Sequence, residues 1–435
     1  MKRIILIIFL ISTISGNIFG QLTLDGQFRT RGEYRDGYRE LSSDLNYPVA
    51  ILNQRSRLIL KYNESDFEFK FSAQDARVWG QNWTSMPNNS LHIYEAWGAY
   101  KPNEELTVKL GRQELRYDDQ RIMAAKNFSI TGMTYDAVKL EYSNEDEGVL
   151  HFGGMINNAN DTRFLDYYPT FKYMFFLWGE KVLSDNITIN GLNFFDVSQN
   201  PVNPHVMYGR NTIGGNLILS YNNQFGGRVG AYYQFGNHWM DFGNFLGQEK
   251  ISVSAYSYNA SLWAKPIDNL KLSLNIDTHS GNDWSVQSDK FTAYNRLLSA
   301  GHIYLGFIDY FTSADLREVQ WAGIQDIFLR ADVAITPKLN LQGTMHYLML
   351  NKGYLPRANP FNPWVEVDKG LGTEIDMVAK YKVNSMFALE AAYMVMLPSE
   401  TMEQIKLNGT EAGFSHFSYF SVLFTPNFLK REGEK

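Results

Sequence analysis

The chain has 435 residues, 44% hydrophobic, 15% aromatic and 20% charged, with no cysteine and a formal charge of −6 from 40 Lys+Arg against 46 Asp+Glu. The missing cysteine excludes disulfide frameworks, thiolate zinc sites, thiol catalysis and a lipoprotein anchor. Mild acidity with no basic block argues against nucleic acid as a partner.

Residues 1–20 read as a secretory signal: Lys2 and Arg3 form the charged start, Ile4 to Ile11 the apolar run, and Gly16 to Gly20 a small-residue exit. The mature chain is expected to begin at Gln21 and to form one domain, 21–435. No later apolar run approaches the ~20 residues that a membrane helix needs. An exported chain of this kind is either soluble or a closed barrel, because an open sheet edge cannot sit in lipid.

Period-2 alternation then dominates, the pattern of a sheet with one apolar and one polar face. From Leu22 to Arg35, one face carries Leu22, Leu24, Gly26, Phe28 and Tyr34, and the other carries Asp25, Gln27, Arg29, Arg31, Glu33 and Arg35. The same rhythm runs through Leu52 to Tyr62, Phe67 to Gln74, Leu217 to Tyr221, Leu270 to His279, Asp326 to Ile335, Leu339 to Tyr347 and Thr373 to Tyr381. Short polar links fall at Asn63–Ser65, Lys101–Glu104, Asn144–Glu147, Ser184–Asn186, Asn222–Gln224, Pro266–Asn269, Thr336–Lys338 and Lys382–Asn384. Long links alternate with them, near 36–50, 79–90, 114–132, 158–170, 197–207, 237–250, 281–323, 351–370 and 398–413.

Eight turns and nine loops join eighteen strands. The expected fold is all-β: a transmembrane, antiparallel, up-and-down barrel with short periplasmic turns and long extracellular loops, in the bacterial outer membrane. A soluble sandwich or propeller would not explain the strict short/long alternation. Tyr34, Tyr62, Tyr100, Tyr142, Tyr221 and Tyr381 at strand ends suit interfacial girdles, where the ring is apolar and the hydroxyl stays wet.

Four motifs carry a family resemblance: GRQELRYDDQR at Gly111–Arg121, TYDAVKLEY at Thr134–Tyr142, GHIYLGFID at Gly301–Asp309 and GTEID at Gly372–Asp376. With them the chain resembles the alginate export family of outer-membrane β-barrels, although Asp118 stands where members often have Gly. The resemblance implies an eighteen-stranded barrel whose arginine-rich lumen passes an anionic polysaccharide.

If the apolar face meets lipid, charge must line the interior, since Arg or Lys at mid-bilayer costs ~2–4 kcal/mol. The inward basic positions are Arg29, Arg31, Arg35, Arg55, Arg57, Lys61, Lys70, Lys109, Lys139, Arg210, Arg228, Lys271, Arg330 and Lys380. The acidic ones are Asp25, Glu33, Glu68, Glu95, Glu141, Asp277, Asp326, Asp332, Glu374, Asp376 and Glu390. Most of the basic groups fall on the first few strands, which predicts one positive wall that concentrates anions; Glu374, Asp376, Asp326 and Asp332 are expected to brace it through ion pairs. The link at 281–323 carries the apolar stretch His302 to Phe311, so it is expected to fold into or over the pore mouth. Asp118-Asp119 reads as a rim, Glu145–Glu147 as a solvated turn, and His302 and His346 as structural residues.

The eight histidines include no metal spacing, and no nucleophile elbow, phosphate loop or dinucleotide fingerprint stands out. No catalytic residue, cofactor or metal is expected. The sequence thus predicts a non-enzymatic, anion-selective channel for passive passage of a carboxylated oligo- or polysaccharide. A general or nutrient-specific porin for small solutes is the alternative. The expected partners are outer-membrane lipid and the anionic saccharide or another small solute, with room for a periplasmic protein.

Overall fold

A computed structural model describes residues 20–81, 90–158, 170–241, 248–357 and 361–431. Residues 1–19 of the expected signal 1–20, and residues 432–435, lie outside the described residues.

The barrel strands are β1 (Gln21–Asp36), β2 (Val49–Asn63), β3 (Phe67–Val78), β4 (Leu91–Tyr100), β5 (Leu106–Gln113), β6 (Tyr135–Asn144), β7 (Gly148–Ile156), β8 (Tyr173–Ser184) and β9 (Ile187–Gln199). They continue as β10 (Met207–Tyr221), β11 (Phe225–Asp241), β12 (Gln248–Ile267), β13 (Leu270–His279), β14 (Ile324–Thr336), β15 (Leu339–Leu350), β16 (Gly370–Lys382), β17 (Phe387–Pro398) and β18 (Ser415–Phe424). Each strand pairs antiparallel with its neighbour in sequence, for example Gln21↔Asn63 between β1 and β2 and Tyr221↔Phe225 between β10 and β11. β18 closes the ring on β1, from Phe28↔Phe424 to Asp36↔His416. Beyond Pro426, whose carbonyl accepts the Gly26 N–H at 2.8 Å, Asn427–Arg431 continues that seam along the start of β1. Eighteen strands is the number read from the sequence, and closure leaves no open edge for lipid to meet.

Tight turns join β2 to β3, β4 to β5 and so on around one end, the turn end. Longer segments cross the other, the loop end, the longest of them between His279 and Ile324.

Alternation fixes which side chains face out. On β14, Ile327 and Leu329 are exposed while Asp326 and Phe328, which alternate with them, are buried. The same holds for Leu272 and Leu274 on β13, Met345 on β15, Met377 on β16 and Phe420 on β18, all exposed. Leaving a large apolar side chain in water forfeits ~1.5–3 kcal/mol each, so an outer surface built this way is solvated by hydrocarbon. No helix among the described residues is long and apolar enough to cross a membrane; the strands do the crossing. Tyr34, Tyr100, Tyr221 and Tyr381 are exposed near strand ends, as girdle residues are.

The buried apolar residues lie inside the ring. One cluster gathers Leu305, Ile308, Tyr310, Phe311, Leu371, Met396, Met402 and Phe417; another gathers Leu115, Tyr117, Ile122, Met123, Phe176, Trp178, Phe194 and Tyr294. Both combine wall residues with residues of the long connections. A short helix, α1 (Glu400–Leu407), caps the first cluster: the Ser399 hydroxyl accepts the Met402 N–H at 3.2 Å, and Lys406 Nζ donates to the Tyr310 carbonyl at 3.0 Å.

The facing predicts an asymmetric response to charge. Leu274→Arg should lower unfolding free energy in lipid vesicles by ~2–4 kcal/mol, whereas Ser273→Arg, one residue along and facing inward, should change it little. Denaturant titration of the two variants reads the difference directly.

Candidate functional site

The lumen is crossed by a connection that the sequence marks only as one long loop among nine. Residues 114–134 leave β5 and turn inward at once, through Asp118, Gln120 and Lys126, all at positive φ. Near its start, the Asp118 carboxylate accepts from Trp178 Nε1 at 2.8 Å and Asn216 Nδ2 at 3.3 Å. Asp119 pairs with Arg228 of β11 at 2.8 Å and with Arg121 at 2.8 Å, and Arg121 also pairs with Asp277 of β13. After the buried run Ile122–Ala125, the loop reaches the opposite wall. There Arg29 donates to the carbonyls of Asn127 at 2.7 Å and Ser129 at 2.8 Å, and Arg31 donates to Phe128 O at 2.9 Å. Arg55 and Arg57 donate to Asn127, Ser129 and Thr131 at 3.4–3.5 Å.

Residues 280–323 pack on this bridge. Leu298 N donates to Ile122 O and Ala300 N to Gln120 O, both at 3.0 Å, and the Tyr304 hydroxyl donates to Asp119 O. The segment is also tied to the wall: Ile308 N donates to Glu374 Oε1 at 2.8 Å, Arg39 N to Ile308 O at 3.0 Å, and the Tyr38 hydroxyl to Asp309 at 2.5 Å. Gly306 sits at φ +88°, and a Cβ there would overlap the Glu374 carboxylate, so only glycine permits this approach. His302 bonds Asp309 at 2.9 Å and stacks on Phe128 of the first loop. Burial alone would raise the Asp309 carboxyl; the His302 charge and the donors from His302 and Tyr38 outweigh it and hold Asp309 below the ordinary range. For Asp118 burial wins, and the carboxyl is raised despite the Trp178 hydrogen bond.

The expected lumen residues sort into two groups. Most are braced by carboxylates: Arg31 and Arg35 by Glu33 at 2.6 and 2.5 Å, Lys61 by Asp25 at 3.1 Å, Lys139 and Lys109 by Glu141 at 2.6 and 3.8 Å, Arg210 by Asp196 at 3.0 Å, Arg330 by Asp332 at 3.0 Å and Lys380 by Glu390 at 3.5 Å. Glu95 pairs with Lys70, and Arg228 takes its carboxylate from the loop residue Asp119. Asp376 and Asp326 flank His346 at 3.4 and 2.8 Å, while Glu374 caps the 306–308 turn instead of bracing a cation. Arg29, Arg55 and Arg57 form the second group. Among the described residues none has a carboxylate within ion-pair distance; their donors go to neutral oxygens of the bridge and of Gln74. Lys271 lies over the Trp263 ring, 4.7 Å from its centroid.

Two sequence readings need correction or addition. Asp118-Asp119 is not a rim: both residues sit inside the lumen, gripped by Trp178, Asn216, Arg121 and Arg228. Arg121, Asp196, Glu114 and Asp309 escaped the inward set. Of these Glu114 and Arg121, inside the Gly111–Arg121 motif, and Asp309, at the end of the Gly301–Asp309 motif, carried a sequence signal, and Asp196 carried none.

On the loop-end side of the bridge lies a cavity of ≈ 570 Å³ lined by Arg31, Arg35, Arg39, Arg116, Lys126, Phe128, Ile130, His302, Ile303 and Asp309 among others. Five cations and three aromatic rings line it beside neutral polar and aliphatic residues, and Asp309 is the one acid among the lining residues.

A closed eighteen-strand ring with an apolar outer belt and a charged interior defines a bacterial outer-membrane β-barrel channel. Residues 20–152 match the family model described as Alginate export. Solved barrels of the same fold include Pseudomonas aeruginosa OpdL, at 12% identity and TM-score 0.61 over 94% of this chain and 99% of that one. Acinetobacter baumannii OccAB4 aligns at 13% identity and TM-score 0.58 over 95% and 99%. Pseudomonas aeruginosa OpdK with vanillate aligns at 12% and 0.59 over 95% and 100%. No curated protein matches the sequence.

Arg121 joins both inserted segments to the wall, through Asp119, Asp277 and its 4.2 Å contact with the Tyr304 ring. Removing one partner of a buried ion pair costs ~3–5 kcal/mol. Arg121→Ala should therefore loosen the bridge and raise single-channel conductance and current noise in planar bilayers. Conductance equal to wild type would contradict the linking role.

Proposed function

We propose that this chain is a passive, anion-selective outer-membrane channel whose solute is a carboxylated oligo- or polysaccharide. In this reading residues 1–20 are a removed signal, the turn end faces the periplasm and the loop end faces outward. The carrying observation is the trio Arg29, Arg55 and Arg57, three guanidinium groups on one wall whose donors meet only uncharged oxygens among the described residues. Net positive charge in a confined lumen attracts anions. Planar guanidinium forks match carboxylate geometry, and neighbouring forks offer a migrating carboxylate successive partners. Hydrogen bonds to carbonyls keep the trio in place without cancelling its charge. The braced pairs, such as Arg210–Asp196, stiffen the wall and add little net field.

Access from the loop end would pass the cationic cavity first. Arg35, Arg39, Arg116 and Lys126 there would concentrate the solute ahead of the bridge. Weak, multiple sites of this kind allow both capture and release.

A second reading, a porin for small acids, is favoured by the bridge itself. The 114–134 loop runs from Asp277 on one wall to Arg29 on the other, so a polymer must displace it whereas a single ring need not. OpdK, solved with vanillate, has the same fold.

One bilayer experiment addresses both. The triple variant R29Q/R55Q/R57Q should shift the reversal potential from anion-selective toward non-selective, while R29K/R55K/R57K keeps it anion-selective. Unchanged selectivity in the glutamine variant would remove the proposal. Uronate oligomers of increasing length, added to wild type, separate the two solutes: block that deepens with length supports the saccharide chain, and block by monomers alone supports the small-acid porin.

A further inference from the structure

Arg112 of β5 and Asp136 of β6 are direct cross-strand partners and form a doubly bonded ion pair, Nε to Oδ1 at 2.9 Å and Nη2 to Oδ2 at 2.6 Å. Unlike the ion pairs of the lumen, this one lies on the outer face. Its side chains are 45% and 52% exposed, and the next outward positions, Leu110 and Val138, belong to the apolar belt.

The pair is also too low to be a headgroup contact. Asp136 lies six residues from the turn-end girdle residue Tyr142, on the same strand. With a rise of ~3.4 Å per residue and a tilt of ~40°, that is about 15 Å of height. On the taller wall, Tyr233 and Phe235 stand eight and ten residues beyond Phe225 on β11, which sets the loop-end girdle at about 20–25 Å. The ion pair therefore sits roughly 5–10 Å inside the belt, where an exposed Arg is costly. β5 is the shortest of the eighteen strands, and the loop that follows it turns into the lumen. The outward positions beside the pair, Ala96, Gly98 and Gly154, are small and let the pair be reached, and exposed Phe71, Ile156 and Phe175 beyond them make the surrounding patch apolar.

We infer that this face is a two-fold interface with a second copy of the chain, the axis running along the membrane normal. Rotation about such an axis brings the left side of one patch against the right side of the other. Arg112 then faces Asp136 of the second copy, and Asp136 faces its Arg112. A side-by-side pair of opposite charges at nearly one height is self-complementary under this operation and under no parallel translation. The four charges close a quartet shielded from hydrocarbon by the apolar residues around it, Leu110 and Val138 first. The inference does not depend on which solute the channel passes.

The cysteine-free sequence makes the test clean. Val138→Cys, oxidised in native outer membranes, should give a disulfide-linked dimer, whereas Leu274→Cys on the opposite wall should not. Arg112→Asp and Asp136→Arg, each in the Val138→Cys background, should lose at least tenfold of the cross-linking when expressed alone. Both variants carry like charges within the chain, so only contact between chains can restore it when the two are co-expressed as a mixed dimer. Restored cross-linking of the mixture supports the interface. No dimer through the thiol at position 138, with a lipid-borne nitroxide reaching that position as readily as position 274, would show that lipid covers the face and would overturn the inference. If the charge variants fail to reach the membrane, the comparison of Val138→Cys with Leu274→Cys still decides.

Discussion

Hydrocarbon accepts apolar side chains and strongly disfavours charged ones, and a strand that alternates has no third option. Once Leu272, Leu274, Ile327 and Leu329 face lipid, their neighbours Asp277, Asp326 and Arg330 must face the lumen. Sequential antiparallel pairing then follows from the need to leave no backbone group unpaired in lipid. The lumen inherits every charge that the outer face rejects, and its organisation is a matter of satisfying them.

That satisfaction comes from two sources. Carboxylates on the same strand or a neighbouring one pair with most of the lysines and several arginines. For Arg29, Arg55, Arg57 and Arg228 the inward loop adds partners to those of the wall: three take its neutral oxygens and the fourth takes Asp119, while Gln74 and Asn216 of the wall also accept from Arg57 and Arg228. The bridge is thereby structural and electrostatic together. Its carbonyls hold the guanidinium groups in place and bring no net charge to them. The second segment, anchored through Ile308–Glu374 and Asp309–Tyr38, holds the bridge from the loop end.

The barrel was legible from sequence because period 2 is local: Leu270 to His279 reads as a strand without knowledge of its neighbours, and the structure places β13 at those bounds. Turn chemistry at Asn222–Gln224 and Pro266–Asn269 is local too. The bridge was not legible, because its contacts are made across about 100 residues, as between Arg29 and Asn127 or Asn216 and Asp118, and a loop has no periodicity to announce where it points. Asp118-Asp119 looked like a rim for that reason. The rule that charges point inward fails at Arg112 and Asp136, which lie in two of the motifs that carry the family resemblance. Pairing across one ladder step lets both stay outside.

Directional facing along one strand is the most direct measure of the whole account. Nitroxide labels placed singly at 326 to 333 on β14 in liposomes should alternate: 327, 329, 331 and 333 should collide with oxygen dissolved in the bilayer, and 326, 328, 330 and 332 with a water-soluble nickel chelate in the lumen. Collision profiles without that two-residue period, or with the phases reversed, would contradict it.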